Sequence, residues 1–192
     1  MSNKYENYDP MSNQLWVILD RLTDVIITYS PGCIVEIGIG RSSSILSAHA
    51  KNLNVKYYTC DTSSTQCNWA KTLDNCTVFH GTSFDFIKQF SDIPSVVLLD
   101  GNHHYATVVQ EFNFFIERLT VGGVIFLHDT CPWETFYNNK MKTKNKEMDT
   151  YKLRKEIEKR EDLEVFTWPY TASYCGLTMV LKKDMTQPFY RI

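Results

Sequence analysis

The sequence predicts an α/β fold in which helices cover both faces of a mostly parallel sheet. Apolar, β-branched runs typical of buried strands alternate along the chain with segments whose apolar residues recur at helical spacing. A last pair of strands is joined by a connection too short for a crossover helix, so we expect this pair to be antiparallel. The chain is therefore predicted to form a doubly wound sheet of about seven strands.

Composition and charge define the broad class. Of the 192 residues, 43% are hydrophobic and 22% are charged, which is typical of a globular chain. The net charge of −2 argues against a surface for nucleic acid, and no apolar run approaches the roughly 20 residues that span a membrane. The six cysteines form no CxxC pair, so we expect free thiols rather than a zinc ribbon, and a cytoplasmic protein.

A single domain is expected over residues 1–192. Residues 1–12 are polar and acidic, unlike a signal peptide, and are interpreted as a tail or a lid. Residues 130–150 combine aromatic side chains with several lysines and are interpreted as an insertion on the substrate side. The alternative for this segment is an exposed lysine-rich loop.

The first element is a helix over residues 13–29, because its apolar side chains recur at helical spacing. This pattern places Val25 on the buried face of the helix and Asp20 outside that face. A Pro-Gly pair then ends the helix and leads into the first strand.

A run of glycines and serines follows the first strand, which is predicted over residues 34–37. Gly38 and Gly40 have no Cβ, so the backbone can turn tightly and a ligand can lie against it. Ser42 and the two serines after it suit the start of a helix that reaches to about residue 52. A strand, a glycine turn and a helix N-terminus form the kind of loop that cradles a nucleotide, although structural turns often share the pattern.

The second strand, predicted over residues 55–60, is followed directly by Asp61. In a doubly wound sheet, a carboxylate about twenty residues beyond the glycines reaches the ribose hydroxyls of a bound nucleoside. The alternative is a helix N-cap, since Thr and Ser residues follow, and the two roles are compatible. A short helix over residues 66–73, a third strand over 77–80 and a helix over 84–90 come next.

Polar side chains also follow the next two strands. Asp100 comes directly after the strand at residues 95–99, and His128 and Asp129 follow the strand at residues 124–127. Because ligands of such sheets bind beyond the carboxyl ends of the strands, we expect these side chains to lie at one functional edge.

The remaining elements complete the sheet. A helix with an apolar stripe is predicted over residues 108–119, between the fourth and fifth strands. A charge-rich helix over residues 151–160 then precedes the two closing strands, at 163–168 and 176–182.

These motifs resemble the class I S-adenosylmethionine-dependent methyltransferases, whose sheet is Rossmann-like. The resemblance rests on Glu-Ile-Gly-Ile-Gly at residues 36–40, on Asp61, and on a Gly-Gly pair before the fifth strand. More narrowly, residues 99–105 and 123–129 resemble the small-molecule O-methyltransferases, including the macrolide-sugar and cephalosporin-hydroxylase-like groups. The resemblance covers residues 32–129.

The resemblance implies that S-adenosylmethionine is the cofactor and assigns residues to it. Asp61 would take the ribose hydroxyls, and Thr82 or Ser83 would lie near the adenine. The complete set implied to bind the cofactor is Glu36, Gly38, Gly40, Ser42, Asp61, Thr82, Ser83 and Asp100.

The resemblance also implies a catalytic set of His103, Asp100 and Asp129. A hydroxyl acceptor has to lose its proton, and a histidine is suited to take it near neutral pH. In metal-dependent relatives, three carboxylates after the fourth and fifth strands bind a divalent cation. The matching residues here, Asp100, His128 and Asp129, would bind Mg²⁺ or Mn²⁺, but His128 stands where those relatives carry a carboxylate. Imidazole is a poor ligand for Mg²⁺, so the metal differs, His128 has another role, or no metal binds.

Simpler structural roles remain open for both histidines. His103 is equally compatible with a turn that bonds its own backbone, and His128 with a residue at the edge of the core that is paired with a carbonyl.

The sequence thus predicts a methyltransferase that acts on a hydroxyl of a small molecule or sugar, with no nucleic-acid or membrane partner. Whether it forms a homo-oligomer is left open. One alternative is a cofactor-binding protein of the same fold without catalysis. The other is a nicotinamide-dependent oxidoreductase, which would need a glycine where Ser43 stands.

Overall fold

The structure is a computed structural model that describes residues 14–131, 149–169 and 176–186. Its strands are β1 Cys33–Ile37, β2 Tyr57–Asp61, β3 Cys76–His80, β4 Pro94–Leu99, β5 Val124–His128, β6 Leu163–Trp168 and β7 Leu177–Lys182. Its helices are α1 Gln14–Tyr29, α2 Arg41–Leu53, α3 Ser64–Ala70, α4 Ser83–Gln89, α5 Tyr105–Arg118 and α6 Thr150–Ile157.

The strands form one sheet in the order β3-β2-β1-β4-β5-β7-β6. Neighbouring strands from β3 to β5 are parallel, whereas β7 runs antiparallel to both β5 and β6. This arrangement confirms the predicted fold, a mostly parallel sheet of seven strands with an antiparallel pair at the end of the chain.

Helices cover both faces of the sheet, which explains why its central strands are continuous apolar runs. Side chains of alternate residues point to opposite faces of a strand. Val35 and Ile125 therefore pack on one face with side chains of α4, α5 and α6. Ile34 and Phe126 pack on the other face with side chains of α1 and α2.

The order of the strands reverses between β1 and β4, and this reversal positions the candidate site. β1 pairs with β2 on one side and with β4 on the other, so connections leaving the two central strands diverge. In sheets of this kind a crevice opens beyond the carboxyl ends of the strands at such a point. The loops that follow β1, β2, β4 and β5 all reach this edge.

Two expectations for the first helix are wrong. Val25 is 53% exposed, whereas Asp20 is only 3% exposed. The reason lies on α2, where the buried His49 pairs its Nε2 with Asp20 Oδ1 at 2.9 Å and its Nδ1 with Asp24. The polar contact between the two helices therefore accounts for the burial of Asp20.

The predicted tail at residues 1–12 and most of the predicted insertion at 130–150 lie outside the described residues. Within the described ranges, none of the helices has both the length and the apolar character needed to cross a membrane. The five cysteines of these ranges are free thiols, as expected.

Candidate active site

The glycine loop after β1 is held against the neighbouring strand ends. Gly38 has a φ of +95°, and a Cβ at this position would overlap the backbone of Asp100 and Gly101. Glycine is therefore required here for both conformation and space. Gly40 differs, because a Cβ there would have nothing within 4 Å. The loop thus leaves open space beside Gly40, where a ligand can approach the backbone.

Glu36 lies beneath this loop and is fully buried. Its carboxylate accepts hydrogen bonds from four hydroxyl groups, those of Ser42, Ser43 (2.5 Å), Tyr57 (2.5 Å) and Thr59 (3.0 Å). Burial raises the pKa of Glu36 to about 7, and the four hydroxyl groups oppose that rise. The predicted residues Glu36 and Ser42 therefore bond to each other in the interior, behind the loop surface.

Ser43 connects this buried cluster to the glycine loop. Its Oγ accepts a hydrogen bond from the backbone N–H of Gly40 at 3.1 Å while donating to Glu36. Ser43 replaces the third glycine of a nicotinamide-binding motif, and here its side chain has a structural task that glycine could not perform. Glu36 thereby fixes the backbone that borders the open space.

Asp61 links the glycine loop to the end of β2. Its Oδ2 accepts from the N–H of Ile39 at 2.9 Å, and its Oδ1 accepts from the N–H of Ser63 at 2.7 Å. The alternative assignment of Asp61 as a helix N-cap is wrong, because Ser63 caps α3 through the N–H of Gln66. The side chain of Asp61 is partly exposed, and each oxygen keeps a lone pair for a further donor such as a ribose hydroxyl.

Thr82 and Ser83 lie beside Asp61, at the end of β3. The N–H of Gly81 donates to the backbone carbonyl of Asp61 at 3.0 Å, which ties this turn to the end of β2. Thr82 is the N-cap of α4, since its Oγ1 accepts from the N–H of Asp85 at 3.2 Å. Ser83 begins the helix. Both residues therefore border the edge at which Asp61 and the glycine loop meet.

Four ionisable side chains converge where β4 and β5 end. His128 Nδ1 lies 2.7 Å from Asp100 Oδ1 and 3.4 Å from Asp129 Oδ1. His103 Nδ1 lies 3.5 Å from Asp129 Oδ2, and its Nε2 lies 3.9 Å from Asp100 Oδ1. The structure thus brings together the predicted catalytic set, Asp100, His103 and Asp129, with His128, which was predicted as a metal ligand beside Asp100 and Asp129.

His128 lies among carboxylate and aromatic side chains. Its imidazole faces two carboxylates and stacks on the indole ring of Trp16, with ring centroids 5.8 Å apart. Burial lowers the pKa of His128, but the attraction of Asp100 and Asp129 outweighs burial and raises the pKa to about 9. Asp129 is held with a φ of +57°, which is uncommon for a residue other than glycine.

His103 is more exposed than His128 and is positioned by a segment far along the chain. Its backbone carbonyl accepts from the N–H of Asp149 at 2.9 Å and from Thr150 Oγ1 at 3.0 Å. The carboxylate of Asp149 in turn accepts from the N–H of Tyr105, the first residue of α5. The turn bond within the loop comes from Asn102, whose Oδ1 accepts from the N–H of residue 104, so His103 is not needed for that turn.

Asp149 was not identified from the sequence. Burial raises its pKa, but hydrogen bonds from Lys152 and from the backbone of Tyr105 outweigh burial and lower the pKa overall. The bond to Tyr105 also explains why α5 begins three residues before the predicted start at residue 108. The acceptor comes from 44 residues away, so no local pattern could have revealed it.

Three residues of this cluster are close enough together to hold one metal ion. Ligand atoms of Asp100, His103 and His128 all lie within 4.8 Å of one another, close enough for a single ion. Two of the three donors are imidazole nitrogens, whereas Mg²⁺ prefers oxygen ligands in octahedral geometry. The residues present therefore do not fit Mg²⁺ well.

Comparison with known proteins identifies the family. Residues 35–130, half of the chain, match the family described as Methyltransferase domain. The chain therefore belongs to this methyltransferase family, which confirms the family resemblance of its motifs. A search of curated proteins found no significant match to the sequence.

Solved structures agree on the fold. The SAH-bound methyltransferase PaMTH1 of Podospora anserina is 16% identical, with a TM-score of 0.65 over 92% of this chain and 80% of that one. An O-methyltransferase from Bacillus cereus in complex with SAH is also 16% identical, with a TM-score of 0.65 over 92% and 83%.

A third similar structure contains a metal. MycE, a methyltransferase of the mycinamycin biosynthetic pathway solved with Mg and SAH, is 14% identical. Its TM-score is 0.59 over 89% of this chain and 50% of that one. At such identities, the three likenesses show a common fold, and the residues assigned to cofactor, acceptor and metal stay predictions.

Proposed function

We propose that this methyltransferase uses S-adenosylmethionine to methylate a hydroxyl group of a small molecule or sugar. The observation that carries the proposal is the meeting of two groups of residues at one sheet edge. The open glycine loop and Asp61 form the first group, and Asp100, His103 and Asp129 form the second. The SAH-bound structures of similar fold support this choice of cofactor.

The residues present fit the cofactor. The open space beside Gly40 admits a ligand to the loop, and Asp61 retains acceptor capacity toward ribose hydroxyls. Thr82 and Ser83 would border the adenine. When bound, S-adenosylmethionine supplies a methyl group on a sulfonium sulfur, which is transferred to a nucleophile by in-line displacement.

His103 is the proposed general base. With Nδ1 toward Asp129, its imidazole is oriented so that Nε2 can accept the proton of an acceptor hydroxyl. His103 Nε2 would take the proton that the acceptor oxygen loses as it receives the methyl group. Asp100 and Asp129 stabilise the resulting imidazolium, as carboxylates do beside a catalytic histidine.

No step is derived through Mg²⁺, because the donor set does not fit that ion. The Mg²⁺ in the MycE structure belongs to that protein. The proposed acceptor class follows from the resemblance of residues 99–105 and 123–129 to small-molecule O-methyltransferases and from the O-methyltransferase of similar fold. A cytoplasmic location stays a prediction from the free thiols.

Calorimetry with SAH and with NAD⁺ tests the cofactor. We expect saturable binding of SAH and none of NAD⁺, and we expect Asp61→Ala to weaken SAH binding at least about tenfold. Binding of NAD⁺ instead of SAH would refute the cofactor assignment and favour the alternative of a nicotinamide-dependent oxidoreductase.

Transfer of a labelled methyl group to a panel of small hydroxyl compounds tests the catalysis. We expect His103→Gln to lower kcat about 100-fold or more, with SAH affinity nearly unchanged. His104→Gln is the matched control, because His104 caps α5 through its backbone carbonyl and its side chain makes no capping hydrogen bond. If SAH binds but no hydroxyl compound is methylated, the binding protein without catalysis becomes the better description.

A further inference from the structure

Two carboxylates at the ends of β4 and β5 face the same imidazole. The side chains of Asp100 and Asp129 are 18% and 9% exposed, and that of His128 is 10% exposed. Burying carboxylates is costly unless a positive partner or hydrogen-bond donors compensate the lost hydration. The nearest candidate for that partner is His128 Nδ1, at 2.7 Å from Asp100 Oδ1 and 3.4 Å from Asp129 Oδ1.

A divalent cation bound by both carboxylates would need the position between Asp100 and Asp129 that His128 Nδ1 faces. Such an ion would sit about 2.1 Å from an oxygen of each residue, in the gap that the Nδ1 edge of His128 now faces. One face of the imidazole ring packs against the indole ring of Trp16, with an interplanar angle of 28°. Trp16 and His128 are both buried, at 7% and 8% exposure, so this stacked pair lies in the packed interior.

We infer that His128 takes the place of a divalent cation between Asp100 and Asp129, so that this site works without Mg²⁺. The Nδ1 edge of the ring lies within 3.4 Å of an oxygen of each carboxylate, so the ring itself occupies the position between them. Asp129 then remains free to orient His103 through its other oxygen, at 3.5 Å from Nδ1. The inference rests on the proposed function in one respect, namely that Asp100 and Asp129 belong to the part of the site that binds the methyl acceptor.

Replacement of the histidine by a carboxylate should create the missing metal site. In His128→Asp, three carboxylates would meet at the edge, and oxygen ligands are those that Mg²⁺ and Mn²⁺ prefer. His128→Asn is the matched control, because it also removes the imidazole but adds no charge.

The test measures binding of the metals alone, by calorimetry for Mg²⁺ and by the loss of the free-ion electron paramagnetic resonance signal for Mn²⁺. We expect no saturable binding to the wild-type protein or to His128→Asn at millimolar metal. We expect His128→Asp to bind at least about tenfold more tightly than either. Circular dichroism and SAH affinity check that each variant is folded.

Saturable binding of Mg²⁺ or Mn²⁺ to the wild-type protein, lost in His128→Asn, would overturn the inference. It would then point to His128 as a ligand beside Asp100 and His103. If His128→Asp does not fold, the wild-type titration still decides. These measurements do not depend on turnover. If the protein methylates no acceptor, the proposed function is refuted, whereas metal binding still decides this inference.

Discussion

Alanine substitutions at Gly38 and Gly40 should have different effects, because Gly38 packs against backbone and Gly40 borders open space. Gly38→Ala would place a methyl group against the backbone of Asp100, at a φ of +95° that alanine rarely adopts. Gly40→Ala would place the same methyl group in open space, on extended backbone with a φ of −159°. The first change should therefore damage the fold, and the second should damage ligand binding.

The expected magnitudes follow from these positions. The left-handed conformation costs alanine about 1–2 kcal/mol, and the overlap with Asp100 adds to that cost, so Gly38→Ala should lose at least about 2 kcal/mol of folding free energy. For a chain of this size, each kcal/mol lowers Tm by about 2–4 °C, which gives a fall of about 4–8 °C. Gly40→Ala should change stability by no more than about 1 kcal/mol, the usual range for an N-cap.

Thermal unfolding and calorimetry with SAH provide the two measurements. We expect Gly40→Ala to weaken SAH binding at least about tenfold while Tm stays within a few degrees of wild type. If Gly40→Ala binds SAH as tightly as the wild-type protein, the space beside Gly40 is not the cofactor site. If Gly38→Ala is as stable as the wild-type protein, the contact of this loop with Asp100 is not the constraint that the structure indicates.

Three further predictions concern buried or linking carboxylates. Burial raises the pKa of Glu36 to about 7 from its ordinary 4.5, so the folded protein holds this proton more tightly than the unfolded chain does. The corresponding stability is present at low pH and is lost as the pH rises toward 7, by roughly 3 kcal/mol, and Glu36→Gln should flatten this fall in thermal unfolding. Asp149→Ala should lower kcat about tenfold with SAH affinity unchanged, because the N–H of Tyr105 at the end of the His103 loop loses its acceptor, and Asp149→Asn, which keeps an acceptor oxygen, should restore most of the rate. Asp20→Ala should cost about 3 kcal/mol in chemical denaturation without changing SAH binding, because it breaks the buried pair with His49.

Local patterns were sufficient to predict the sheet, because strands buried on both faces and amphipathic helices have distinct apolar periods. They were also sufficient to predict the edge at which Asp61, Asp100 and Asp129 meet, since residues after parallel strands share one side of the sheet. The tertiary partners were not accessible in the same way. The cluster around Glu36 depends on which residues of β2 lie beside β1, and Tyr57 reads locally as an ordinary apolar strand residue.

Contacts between distant segments explain the other errors. The burial of Asp20 required knowledge that α1 packs on α2, because the helical period alone places this residue outside the apolar face. The anchor of His103 lies at the end of the predicted insertion, in a segment whose composition gave no sign of a connection to the loop after β4. In both cases a polar contact between distant segments determines the environment of the residue, and local sequence patterns carry no information about such contacts.

Backbone hydrogen bonds tie the glycine loop after β1 to the neighbouring strand ends, including the start of the loop that carries His103. The N–H of Gly38 donates to the carbonyl of Cys60 at 2.9 Å, and the N–H of Asp100 donates to the carbonyl of Ile37 at 2.8 Å. Since a shift of either loop would break one of these bonds, the glycine turn and the start of the His103 loop have to move together. Such coupling suits methyl transfer, because in-line displacement requires that the methyl donor and the acceptor atom be held at a fixed distance, and much of the barrier is removed by that positioning alone.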